Sequence, residues 1–214
     1  VPAVFIFTAT AWLLSTTLFG LTLVCNFTDH VLAHDSQSYL VLHAHMGITG
    51  WFLLLVLGVG SRLIPLFLIS KYSNNNILWL IYSCINLGLA GFVIIEISGI
   101  SPRVLPLPAI LVFSGIILFL YYCFRAYKER IRRHVDEQMK ISLLSVSMML
   151  LPVICLVVVL TFLLVGNTRY NLVLLYGFCI FFGWLTAIIF GMTFKTLTFI
   201  VWNKVYHKKA RAIK

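Results

Sequence analysis

Long runs without Asp, Glu, Lys or Arg recur along this chain from one end to the other. Six apolar segments, each with at most one charged residue, reach or exceed the roughly 20 residues that a helix needs to cross the hydrocarbon core of a bilayer. They lie at about residues 3 to 25, 38 to 66, 77 to 98, 107 to 126, 141 to 165 and 171 to 202. With 61% hydrophobic and 10% charged residues, the composition excludes a soluble domain. The expected fold is all-α: a polytopic transmembrane bundle of six helices. Residues 1–214 read as one transmembrane domain in contact with the lipid bilayer.

The net charge of +10 would suggest nucleic acid as the partner of a soluble protein. Here most of it lies in "RAYKERIRRHVDEQMK", residues 125 to 140, and "NKVYHKKARAIK", residues 203 to 214. If six helices alternate in direction, these segments share one side with Lys71, Arg62 and Lys195, and the other side keeps only Arg103 and Arg169. The positive-inside rule makes that basic side cytoplasmic, with both visible termini there. The charge therefore reports topology and contact with anionic lipid, and no nucleic-acid partner is expected. The chain starts at Val1 with no basic segment before the first helix, so further chain upstream is expected.

A parallel repeat runs through the sequence. "GWFLLLVLGVGSRLIPLFLISKY" from Gly50 aligns without gaps on "GWLTAIIFGMTFKTLTFIVWNKV" from Gly183. The alignment pairs Gly50 with Gly183, Trp51 with Trp184, Gly58 with Gly191, Lys71 with Lys204, and Arg62 with Lys195. The copies stand four helices apart, which reads as a duplicated four-helix unit. Five cysteines are spread one per helix with no CxxC or CxxCH, so neither covalent haem nor a zinc finger is supported.

The chemistry-bearing feature is the histidine pair in "SYLVLHAHMGITGWFLLLVLGVGSRLIPLF". An ionisable side chain inside a membrane segment is costly unless it has a partner. Residues two apart on a helix point about 200° apart, so His43 and His45 cannot chelate one metal together. Each can bind a group on its own side of the helix. Gly47 and Gly50 continue the His43 face, followed by Gly58 and Ser61, and leave a smooth strip. Such a strip admits either a flat macrocycle or a second helix. The bulkier Thr49, Phe52 and Val56 lie under His45. Imidazole is the usual axial ligand of haem iron; the bland alternative is a pair of interfacial histidines bonded to loop carbonyls and water.

"HAHMGITGWFLLLVLGVGSRLIPLF" resembles the HxH helix of haem-copper oxidase subunit I, most closely in cb-type oxidases and nitric oxide reductases. It is also similar to NnrS-type membrane proteins. The resemblance covers residues 34 to 72. It implies a bacterial cytoplasmic (inner) membrane protein carrying non-covalent haem b, with His43 as axial ligand of a high-spin haem and His45 of a low-spin one. The cofactor-binding set is His43, His45, Gly47 and Gly50. His34 and Asp35 resemble the "HD" that precedes HxH in that family, at a spacing one residue longer.

The family's copper centre needs three more histidines, and a six-coordinate haem needs a second axial ligand. This chain has only His30, His34, His134 and His207 left, in loops. Copper is therefore unsupported by this segment, and a complete oxygen-reducing centre is not expected. Upstream helices or other membrane subunits would supply further axial ligands. The implied role is electron transfer or respiratory, nitric-oxide-related chemistry, as part of an oxidoreductase assembly. Two rivals stand beside it: a transporter, which a parallel repeat with glycine-rich helices suits, and a cofactor-free structural or assembly subunit. Glu96 reads as a propionate partner, a proton carrier or an interfacial residue; Arg62 and Lys195 as side chains snorkelling to phosphate; Asn86 and Thr186 as interhelical hydrogen bonds.

Overall fold

A computed structural model describes residues 1–131, 134–166 and 170–206. Six helices are long and apolar enough to cross a membrane: α1 (Pro2–Asp29), α2 (Ser36–Leu68), α3 (Asn75–Ser98), α4 (Pro106–Lys128), α5 (Glu137–Leu164) and α6 (Tyr170–Tyr206). The all-α, polytopic reading holds, and among the described residues there is no strand. Each helix ends where the sequence stops supporting it. Asn74 caps α3, its side chain accepting from the Ile77 N–H at 3.1 Å, and Gly99 closes the same helix at φ 62°. Prolines at 106 and 108 open α4, where a missing N–H costs nothing.

By internal packing the chain divides into two compact units, residues 1–130 and 131–214. The division falls inside the basic loop that separates the two copies of the repeat. The first unit holds α1 to α4, and the second begins again with a two-helix hairpin, α5 and α6. The repeat extends to backbone geometry: π-helical stretches occupy Met46–Leu53 in α2 and Cys179–Leu185 in α6, and both contain the aligned Gly-Trp pair. Such i→i+5 stretches are rare and tend to mark functional positions.

Small residues decide how the first unit packs. A Cβ on Gly88 of α3 would stand 2.8 Å from the Pro108 carbonyl and from Val112 of α4, and one on Gly115 would meet Ile85 at 2.7 Å. These contacts bring α3 and α4 close along their length, as small residues do where no hydrophobic force separates helix from lipid. Polar bonds fix the other seams. The Trp12 indole donates to Asn86 Oδ1 at 3.1 Å, Thr8 and the Tyr82 hydroxyl lie 2.8 Å apart, and the Tyr122 hydroxyl donates to the Ser61 carbonyl at 3.1 Å. Asn86 thus makes the interhelical bond expected of it. Thr186 does not: its hydroxyl turns back to the Phe181 carbonyl of its own helix, an acceptor that the π-helical stretch presents five residues earlier.

In the second unit, Gly191 of α6 lies against Ser145 and the Ile141 carbonyl of α5, and the Ser142 hydroxyl donates to the Gly191 carbonyl at 2.6 Å. Lys195 donates to Asp136 Oδ2 at 2.9 Å across the same hairpin. Snorkelling to phosphate, expected for Lys195, is replaced here by an ion pair, because the start of α5 brings a carboxylate within reach. Its counterpart Arg62 is exposed.

Candidate functional site

The loop joining α1 to α2 is tied down from below. Asn26, buried in the last turn of α1, donates to the His34 carbonyl and to Ser36 Oγ, each at 3.1 Å, and accepts from the Leu32 N–H at 2.6 Å. Ser36 returns the connection by donating to the Leu23 carbonyl at 2.8 Å. This cluster fixes where α2 begins, and so where the histidines fall two turns later. His30, His34 and Asp35 are exposed on the loop.

His43 and His45 point to different helices, as the two-residue offset requires. His43 faces α1. Its ring lies on the backbone of Gly20, so close that a Cβ there would stand 2.8 Å from His43 Cε1, and the Phe19 ring is centred 6.4 Å away. Nδ1 of His43 is buried and, among the described residues, has no hydrogen-bond partner. His45 faces α3, with its ring centred 5.2 Å from that of Phe92 and its Nδ1 2.8 Å from the Val41 carbonyl. That backbone contact fixes the orientation of the ring, the role that an outer partner plays for ligating histidines. Glu96 lies one turn beyond Phe92 on α3 and is half-buried.

The glycine strip below His43 is covered. Gly47 meets the Thr16 methyl at 3.5 Å, Gly50 would clash with Trp12 and with Leu89 of α3 at 2.8 Å, and Gly58 would meet Phe5 at 2.7 Å. All of this face is turned to α1 and its neighbour α3. Gly47 and Gly50 therefore serve the approach of helices, the alternative to a macrocycle that the sequence left open. The α1 residues that fill the strip carried no expectation. Their signal was Thr16 and Gly20, two small residues four apart on one helix face.

These positions fit one part of a haem site and not another. A buried imidazole nitrogen without a partner among the described residues, held over a glycine, suits an axial ligand or a hydrogen-bonding group supplied from elsewhere. A macrocycle lying flat along Gly47 and Gly50 does not fit, because Trp12 and Thr16 occupy that space. Among the described residues, no three His, Cys, Asp or Glu side chains converge on a point that could hold a metal ion. His134 is exposed beside the start of α5, and His207 lies outside the described residues. No family model matches the chain, and neither a curated protein nor a solved structure matches it.

Proposed function

We propose that this chain is a b-type haem-binding membrane subunit that lends axial imidazole, from His43 and His45, to electron-transfer or nitric-oxide-related chemistry in a larger oxidoreductase assembly. The observation that carries the reading is the buried Nδ1 of His43, which no group among the described residues satisfies. Leaving such a nitrogen unpaired costs about 1–3 kcal/mol, a cost that natural folds retain mainly where the group has work to do. With the glycine strip closed by α1, the haem belongs at the histidine end of α2 and not along Gly47 and Gly50. Other subunits or further helices complete its coordination. When bound, haem b would supply one-electron chemistry; the chain supplies imidazole, its orientation through Val41, and an acidic neighbour in Glu96.

The proposed setting is a bacterial inner membrane, with residues 125 to 140 cytoplasmic and residues 26 to 38 on the opposite face. The excess of Lys and Arg in the first segment supports this orientation. Labelling of single cysteines introduced into each segment with an impermeant reagent tests it. Labelling of 125 to 140 from outside would reverse the topology and break the likeness to the oxidases, in which HxH lies at the outer end.

A second reading, a structural subunit without a cofactor, is favoured by the filled strip against Thr16, Trp12 and Phe5. A pyridine haemochrome assay on protein expressed with ample haem precursor separates the two. Haem b in the purified protein supports the first reading, and its absence supports the second.

A further inference from the structure

The two hairpins carry different chemistry at the same aligned place. Continued upstream without gaps, the repeat pairs His43 with Tyr176 and Met46 with Cys179. Met46 opens the π-helical stretch of α2, and Cys179 opens that of α6. Across the α5–α6 seam, Gly191 packs on Ser145 and Gly183 on Leu151, and one further step along the same row sets Cys179 against Cys155. Their sulfurs lie 3.5 Å apart, within reach of an S–H···S hydrogen bond, and both side chains are part-buried.

We propose that Cys155 and Cys179 form a redox-active dithiol that closes reversibly to a disulfide joining α5 to α6, with a lipid-soluble quinone as the oxidant. A disulfide needs its sulfurs about 2.05 Å apart, so closure moves them together by roughly 1.5 Å, a displacement that side-chain rotation supplies. The contacts of Gly191 with Ser145 and the Ile141 carbonyl already hold the two backbones close. Cys155 lies nine residues from Leu164 at the end of α5 and Cys179 nine from Tyr170 at the start of α6, about 14 Å along each helix. At that depth a water-borne oxidant is excluded by the hydrocarbon, whereas a quinone dissolves in it.

The step balances. Two S–H bonds break and one Sγ–Sγ bond forms, and two protons and two electrons pass to the quinone, which leaves as the hydroquinone. A dithiol reductant reverses it by thiol–disulfide exchange and is itself oxidised to a disulfide. The proposal stands independently of haem ligation, since it concerns the other hairpin.

The test uses the full chain in lipid vesicles, reduced, incubated with a short-chain ubiquinone analogue, alkylated with N-ethylmaleimide and mapped by non-reducing peptide mass spectrometry. The expected result is a Cys155–Cys179 cross-linked peptide, loss of two of the five alkylatable thiols, and one hydroquinone formed per disulfide. Dithiothreitol added after solubilisation in denaturing detergent should restore both thiols. Cys155→Ser and Cys179→Ser should each abolish the loss, and Cys84→Ser should keep it. Five thiols still alkylated in the parent after quinone treatment, or an undiminished loss in Cys155→Ser, would overturn the proposal.

Discussion

The imidazole of His43 rests on the backbone of Gly20, with no room for a methyl group between them. The ring of His43 is thus positioned against the facing helix α1. Gly20→Ala should therefore push the ring off its seat. In protein that carries haem, the expected outcome is a shifted haem spectrum with the haem content largely kept. A change in thermal stability alone, with the spectrum unaltered, would mean that His43 is a packing group.

Glycines that look alike in the sequence differ in what they touch. Gly88→Ala forces a methyl against the Pro108 carbonyl, which is backbone and cannot turn aside, and should destabilise by about 1–3 kcal/mol. Gly177 sits in α6 with nothing within 4 Å of its would-be Cβ. Gly177→Ala should be neutral or stabilising by up to about 1 kcal/mol through helix propensity. Unfolding in mixed detergent micelles measures both.

The Trp12–Asn86 hydrogen bond joins α1 to α3 within the apolar zone. Asn86→Leu leaves the indole N–H without its acceptor and should cost about 0.6–2 kcal/mol. Trp12→Phe should cost less in this background than in the parent, because only its packing on Gly50 is then lost. A double-mutant cycle reads the coupling directly.

Lys195 and Asp136 test whether the repeat's basic position has the same task in each copy. The Lys195 side chain is 15% exposed and paired, whereas the aligned Arg62 is exposed. Lys195→Met should destabilise by about 1 kcal/mol, and much less in an Asp136→Asn background. Arg62→Met should cost less than Lys195→Met. Equal effects would assign both to the lipid headgroups.

The six spans were legible because apolar length alone determines them, and each expected run falls on one helix of the structure. The HxH offset was legible too, since helical geometry sends residues 43 and 45 to opposite faces whatever surrounds them. The occupant of the glycine strip was not. A row of small residues states that something comes close, and only the pairing of α1 with α2 shows that Thr16, Trp12 and Phe5 do. The contacts of Lys195 with Asp136 and of Cys155 with Cys179 were hidden for the same reason. Each depends on the register of the α5–α6 hairpin, which sequence spacing does not reveal. Thr186 was misread because a π-helical turn offered its hydroxyl an acceptor in its own helix.

The most direct test of haem ligation is spectroscopic. Purified parent protein, His43→Ala and His45→Ala are compared by pyridine haemochrome assay and by reduced-minus-oxidised spectra with and without carbon monoxide. The account predicts haem b in the parent, loss of a low-spin signal in His45→Ala, and an altered carbon monoxide response in His43→Ala. Absence of haem from the parent, or full haem content with identical spectra in both variants, would contradict it.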